Sequence, residues 1–269
     1  MGVKTSINLK EAQKFFPDFS IDSLTPTTSG VIDTTYITEH YILKKYEREV
    51  AVEEDTQLLN FLHAHGLNVP KHLASQGEWH LYKKLKGVQP RTIQTYHIQA
   101  LARFLSKLHT LTYKRVCKNS FINNYDINTL LKFCKNKHFL YYKKFQHLKK
   151  YTLKNDGFIH GDIFKDNTLF HAHKIAVFDF IDGGCGSFVF DAAIALVAFD
   201  ANKHKPYFLN IFLRTYNQKA LKKLNKKELL CTMQKAAHLY ALLRIKHHKN
   251  TSKAKELLEF GFGKIPLCK

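Results

Sequence analysis

The chain has 269 residues, of which 45% are hydrophobic and 24% are charged, and its net charge is +20. This composition excludes a wholly disordered chain and suits one large domain or two lobes around a cleft. No apolar run reaches the ~18 residues of a membrane span, so no membrane partner is expected. Because the lysines are spread along the chain and positive charge attracts ATP as well as nucleic acid, we do not expect nucleic-acid binding as the primary role.

The first 85 residues are predicted to be rich in strands. Two β-rich runs lie between residues 25 and 46, and a helix is expected over Glu47–His65, ended by Gly66. A second strand pair follows Pro70, with its turn at Gly77.

After residue 90 the sequence becomes helical, because apolar residues recur at helical spacing or in one long apolar run. The predicted helices cover Thr92–Leu111, 126–150, Phe190–Phe199 and Glu228–His247. We therefore expect an α+β protein, with a β-rich N-terminal part (1–85) and a mainly helical C-terminal part (86–269).

The cysteines are scattered along the chain and form no CxxC pair: Cys117, Cys134, Cys185, Cys231 and Cys268. An odd, unclustered set is typical of free thiols in a reducing compartment. The N-terminal residues Met1 to Pro17 contain lysines but no apolar block after them, unlike a secretory signal. We therefore expect a cytoplasmic protein, and the sequence leaves its oligomeric state open.

A compact polar motif begins with the run His160-Gly161-Asp162-Ile163-Phe164-Lys165-Asp166-Asn167, and Asp179 follows it after two short predicted strands. A hairpin between these strands would return Asn167 and Asp179 to the same end of a cleft, where one metal cluster could collect both, with Asp162 facing an acceptor hydroxyl. Phosphoryl transfer from ATP needs these parts: a carboxylate near the acceptor, oxygen ligands for Mg²⁺ and a cation on the phosphates.

This motif, with Asp179-Phe180, resembles the catalytic and metal motifs of the aminoglycoside phosphotransferase/choline kinase superfamily, which has a bilobal protein-kinase-like fold. The resemblance implies ATP and Mg²⁺ as cofactors and a small-molecule hydroxyl acceptor as partner. It implies that Asp162 is the base or the orienter of the acceptor hydroxyl, and that Asn167 and Asp179 hold Mg²⁺. His160 is expected to support the loop through hydrogen bonds.

Four residues near the motif leave alternatives open. Asp166 is expected to shape the loop, and Lys165 either meets phosphate or is only solvated. Asp191 matches a family Asp that opens a helix, and a structural role is preferred for it. Asp182 either faces the acceptor or belongs to a turn.

The N-terminal part also resembles the superfamily. Tyr41-Ile42-Leu43-Lys44 resembles the strand that carries the phosphate-binding lysine, with Lys45 as the rival because adjacent strand residues face opposite ways. Glu54 is expected to be the acidic partner of Lys44, and Asp55 is the alternative.

Two further segments resemble nucleotide-binding parts. The stretch 81–87 resembles the hinge between lobes, where backbone groups around Leu85 would bind adenine, so ATP and GTP are not distinguished. The candidate phosphate loop, Ser29–Tyr36, has a single glycine, Gly30, where protein kinases have Gly-x-Gly-x-x-Gly.

The stretches Gly30–Tyr36 and Asp162–Phe170 resemble the corresponding loops of ThrB-type homoserine kinases, which favours homoserine as the acceptor. Homoserine is zwitterionic, so its site needs a cation for the carboxylate and an anion for the ammonium group. The alternatives are an aminoglycoside, choline, ethanolamine or a sugar. A non-enzyme alternative is a kinase-fold binding protein with a basic nucleic-acid-binding face.

Overall fold

The computed structural model describes residues 3–27, 32–117, 119–137, 139–150, 152, 154–202, 204–247 and 251–260. The helices are α1 (Leu9–Phe15), α2 (Val52–Ala64), α3 (Thr95–Leu111), α4 (Ile127–Lys137), α5 (Phe139–Phe145), α6 (Phe188–Ala198), α7 (Pro206–Lys219), α8 (Lys226–His247) and α9 (Thr251–Leu258). The strands are β1 (Thr25–Pro26), β2 (Thr34–Ile37), β3 (Tyr41–Lys45), β4 (His72–Gln76), β5 (Trp79–Lys83), β6 (Gly157–Ile159), β7 (Thr168–His171), β8 (Lys174–Val177) and β9 (Gly184–Gly186).

The chain divides into two compact units. The first unit comprises Met1–Val88 and Ala176–Ile181, and the second comprises Gln89–Ile175 and Asp182–Lys269. The predicted α+β class, with a strand-rich N-terminal part and a helical C-terminal part, is confirmed. The assignment of nucleotide binding to 1–85 and of catalysis to 86–269 stays a prediction.

The first unit is built on an antiparallel sheet with the strand order β1-β2-β3-β5-β4. One face of this sheet packs Leu43, Trp79 and Leu81 against an N-terminal segment that includes Ile7 and Phe16. That segment contains α1, which the sequence analysis did not predict because the helix has only seven residues. Since neighbouring strand residues face opposite ways, the side chain of Lys44 leaves the other face of the sheet.

Helix α2 begins at Val52, later than the predicted Glu47. The reason is that the Glu47 carboxylate accepts hydrogen bonds from the hydroxyls of Thr34 (2.5 Å) and Thr5 (2.7 Å), which hold it to the sheet. The predicted end of the helix is confirmed, because Gly66 has a φ of +73°, a conformation that favours glycine.

The second unit is helical around a core formed by α6, whose residues from Phe188 to Val197 are all buried. A helix that is apolar on every side has to be enclosed by others, and α8 packs against it. The polar stretch predicted as helical over 126–150 consists of α4, α5 and a short 3₁₀ helix. Within the described residues, every helix is too short or too polar to cross a membrane.

The expectation of free thiols is wrong for three of the described cysteines. A disulfide joins Cys117 to Cys185, and Cys231 is also disulfide-bonded. The Cα atoms of Cys117 and Cys185 are 5.5 Å apart although 68 positions separate them in the chain, so no local spacing could reveal the pair. Cys134 is a free, buried thiol. Since disulfides persist mainly in oxidising compartments, the cytoplasmic location loses one of its supports and stays a prediction.

Candidate active site

The loop after β6 brings Asp162 and Asn167 together in the second unit. The side-chain nitrogen Nδ2 of Asn167 donates to the backbone oxygen of Asp162 at 2.9 Å and to its carboxylate oxygen Oδ2 at 3.0 Å. Asn167 ends a 3₁₀ turn that begins at Lys165. These bonds fix the orientation of the Asp162 carboxylate, which is half-buried.

The two residues before Asp162 shape the loop. The backbone N–H of Asp162 donates to Nδ1 of His160 at 3.2 Å, so that ring nitrogen carries no proton. This contact supports the predicted loop-supporting role of His160. Gly161 has a φ of +75°, and a Cβ atom there would lie 1.9 Å from the Phe121 ring, so only glycine fits.

The Asp191 carboxylate is hydrogen-bonded to the backbone of this loop. Asp191 is fully buried, and its carboxylate accepts hydrogen bonds from the backbone N–H groups of His160 (3.1 Å) and Gly161 (2.8 Å). Nε2 of His109 donates to it at 3.0 Å, while the Tyr216 hydroxyl lies 2.7 Å from the other ring nitrogen of His109. Burial by itself raises the pKa of Asp191, but His109 and the backbone donors hold the pKa below its ordinary value.

Asp191 therefore opens helix α6 as expected, yet its carboxylate bonds the loop that carries Asp162. The prediction of a structural role was right in kind but did not identify the loop as its partner. The signal was present in the sequence: one carboxylate inside an otherwise apolar run has to be paired when it is buried.

The remaining loop residues have local partners. Lys165 forms an ion pair with Asp200, with 2.6 Å between Nζ and Oδ2, so it is not simply solvated. The Asp166 backbone oxygen accepts from Nε2 of Gln89 at 2.9 Å, in agreement with a loop-shaping position. Asp182 lies in a turn.

The first unit places Lys44 among carboxylates. Nζ of Lys44 lies 2.8 Å from Oδ1 of Asp179 and 3.4 Å from Oδ2 of Asp33. Lys45 points the other way and pairs with Glu78 at 2.8 Å. The geometry therefore supports Lys44 over Lys45 as the lysine of the site.

The α2 carboxylates differ in their relation to Lys44. Burial lowers the pKa of Lys44, but the charges of Asp179, Asp33 and Asp55 outweigh burial and raise the pKa above its ordinary value. Asp55 is buried and Glu54 is half-buried. These facts support the alternative, Asp55, as the acidic partner from α2, and the role of Glu54 stays a prediction.

Asp179 has a φ of +69°, a left-handed conformation that is uncommon outside glycine, although Asp and Asn adopt it more readily than most other residues. Such backbone strain clusters at functional sites, where the surrounding structure enforces it. No sequence pattern indicated this conformation. It is in keeping with the functional importance predicted for Asp179 from the motif.

The two remaining predicted nucleotide contacts, Gly30 and Leu85, stay predictions. Gly30 lies outside the described residues. Leu85 is half-buried just after β5, and the backbone N–H groups of Lys83 and Lys84 next to it are bonded to the carbonyls of Lys71 and His40. A role of the Leu85 backbone in adenine binding stays a prediction.

The predicted metal ligands have suitable chemistry for Mg²⁺. Asn167 uses Nδ2 for its bonds to Asp162, so its side-chain carbonyl oxygen is the atom left to ligate a cation. Asp179 supplies a carboxylate, and Mg²⁺ prefers such hard oxygen ligands. The donor set therefore fits the ion.

The family of the chain follows from comparison with known proteins. Residues 23–223 match the model of the phosphotransferase enzyme family. No match was found among curated proteins.

Several solved structures share the fold. The aminoglycoside phosphotransferase APH(2")-IIa, in its gentamicin complex, aligns with a TM-score of 0.64 and 17% identity over 95% of this chain and 97% of its own. The amicoumacin kinase hAmiN, in complex with AMP-PNP and Ca²⁺, has a TM-score of 0.64 and 17% identity over 93% of this chain and 90% of its own. The macrolide 2'-phosphotransferase MphH from Brachybacterium faecium has a TM-score of 0.61 and 15% identity over 93% and 97%. At these identities the likeness establishes the protein-kinase-like fold and not the acceptor.

Proposed function

Because the chain belongs to the phosphotransferase enzyme family, we propose that it transfers the γ-phosphoryl group of ATP to a hydroxyl group of a small molecule. The observation that carries this proposal is the hydrogen-bonded pair of Asp162 and Asn167 in a loop tied to buried Asp191. A carboxylate fixed in this way can accept the hydroxyl proton, or orient the hydroxyl toward phosphorus.

The nucleotide is assigned to the cluster around Lys44. The ammonium group of Lys44 would release the Asp179 carboxylate and bind phosphate oxygens when ATP enters. Asp55 and Asp33 would keep this ammonium group charged and in place. Asn167 and Asp179 are the proposed Mg²⁺ ligands, and the ion, when bound, neutralises charge on the phosphate oxygens.

Homoserine is the first candidate acceptor. Support comes from the likeness of 30–36 and 162–170 to the loops of ThrB-type homoserine kinases. The structural neighbours in complex with gentamicin, or named as macrolide kinases, make amino sugars and macrolides the second group to try.

An acceptor panel tests the proposal. The full chain is incubated with Mg²⁺–ATP and, in turn, L-homoserine, choline, ethanolamine, a sugar, an aminoglycoside and a macrolide, and ADP release is followed. We expect ADP formation that depends on one acceptor class and on Mg²⁺. Failure of every acceptor, together with steeply salt-dependent RNA or DNA binding, would instead support the binding-protein alternative.

A further inference from the structure

The charge of the chain is divided unevenly between the two units. The second unit contains 32 of the 42 Lys and Arg residues but 10 of the 22 Asp and Glu residues, so it accounts for the whole net charge of +20. Lysines occur in both units, but the net positive charge comes from the second unit. Three carboxylates of this unit are already engaged, namely Asp156 with Lys222, Asp200 with Lys165 and Asp191 with the loop. Such a unit attracts anions and repels polycations.

One cation of the second unit lies beside the catalytic loop. The guanidinium carbon of Arg244 is 5.7 Å from the centre of the Phe164 ring, and the Phe164 N–H donates to the backbone oxygen of Asp162. One turn earlier on α8, Tyr240 packs against the same ring at 5.3 Å, and its hydroxyl bonds the Gly161 carbonyl. Residues four apart on a helix share a face, so α8 presents Arg244 to the loop that carries Asp162.

The guanidinium group of Arg244 can donate further hydrogen bonds. Its Nε atom is buried and has no hydrogen-bond partner among the described residues. Within that part of the chain, the Arg244 guanidinium contacts the Phe164 ring, and no carboxylate pairs with it. A buried donor without a partner calls for an explanation, and an anion that binds during function supplies one.

We propose that Arg244 binds a carboxylate group of the acceptor whose hydroxyl faces Asp162. This inference rests on the proposed kinase function and narrows it to hydroxy acids and hydroxy amino acids. The planar guanidinium group suits a carboxylate because two parallel N–H donors meet its two oxygens. The positive charge of the second unit favours such an acceptor over an aminoglycoside or choline.

A purely structural role for Arg244 predicts something different. Stacking on Phe164 would stabilise the loop whichever acceptor is bound, and its loss would affect turnover of every acceptor alike. Binding of a carboxylate affects only acceptors that carry one. Pairs of acceptors that differ by the carboxylate alone therefore separate the two roles.

The test uses the full chain with two such pairs, L-homoserine against 3-amino-1-propanol and L-serine against ethanolamine. In the wild type, kcat/KM is expected to favour the carboxylate member of the pair that is used. Arg244→Met should lower this preference by about 10- to 100-fold, mainly through KM, because a charge-assisted hydrogen bond is lost. Arg244→Lys should restore part of the preference.

The matched control is Arg214→Met on α7, which removes the same charge from an exposed position of the second unit. It should leave the preference unchanged. Equal losses for both members of a pair in Arg244→Met would overturn the inference, and so would a wild type that phosphorylates only acceptors without a carboxylate; in both cases the kinase function stands. If no acceptor of any class is phosphorylated, the proposed function itself is contradicted, and the inference fails with it.

Discussion

The two units hold their functional groups in different ways. In the first unit, Lys44 is held by the carboxylates of Asp33 and Asp179, so the charged groups position one another at a partly exposed place. In the second unit, the backbone of the loop that carries Asp162 is bonded to Asp191, which is fully buried. An ionic cluster can exchange partners when a phosphate arrives, whereas a buried network keeps a carboxylate in one orientation. If the proposed roles hold, nucleotide binding rearranges contacts, and acceptor activation relies on contacts already formed.

Asp162→Asn should give the largest effect, because it removes the carboxylate that we propose as the base or the orienter of the acceptor hydroxyl while keeping the size of the side chain. We expect kcat to fall about 10³-fold, with little change in the urea midpoint or in nucleotide affinity. Asp126→Asn, an exposed carboxylate of the same unit, is the control. Retained turnover in Asp162→Asn would remove this residue from the site.

Asp191→Ala tests the buried network. The substitution leaves the N–H groups of His160 and Gly161, and the ring of His109, without their acceptor, so the free energy of unfolding should fall by about 3–5 kcal/mol. Urea unfolding followed by circular dichroism measures it. A loss below about 1 kcal/mol would mean that the loop does not depend on this carboxylate.

Asp179→Asn tests the ionic cluster, and asparagine tolerates the left-handed backbone at this position. Calorimetry should show about 10- to 100-fold weaker binding of ATP in the presence of Mg²⁺, since one charge-assisted contact is lost. The free energy of unfolding should change by less than about 1 kcal/mol, because the side chain is exposed. Unchanged affinity for ATP, or a loss of stability as large as that of Asp191→Ala, would contradict the difference proposed between the ionic cluster of the first unit and the buried network of the second.

The smallest predicted effect is the pH dependence of the free energy of unfolding, which involves His238 in the second unit. Burial lowers the pKa of His238 to about 4, so the folded state resists a proton that the unfolded chain binds below about pH 6.5. The stability contributed by the neutral ring is therefore present above pH 6.5 and is lost as the pH falls toward 4, by about 2 kcal/mol at pH 5. Urea unfolding at pH 7 and pH 5 should show a smaller difference in His238→Gln than in the wild type. Equal differences in the two proteins would contradict a neutral buried ring.

The sequence predicted features whose residues lie close together in the chain, and it missed contacts between residues that are far apart in it. Helix α3 and strands β3 and β5 follow from local periodicity, and the Asp162–Asn167 pair lies within one loop. The contact between Asp191 and His109 spans 82 positions, and no local pattern encodes it.

Two misses have other causes. Helix α7 was overlooked although Pro206 and the apolar residues Phe208, Phe212 and Tyr216 carry its signal at helical spacing. The Cys117–Cys185 disulfide was missed because the fold, and not the spacing, brings the two cysteines together.

The most direct measurement of the central claim is the fate of the labelled phosphoryl group of [γ-³²P]ATP, in the presence of Mg²⁺ and the preferred acceptor. We predict that the label appears in a phosphomonoester of the acceptor, that omission of the acceptor abolishes this product, and that Asp162→Asn reduces it about 10³-fold. Label found only in inorganic phosphate, or the same labelled acceptor formed by Asp162→Asn, would contradict the account.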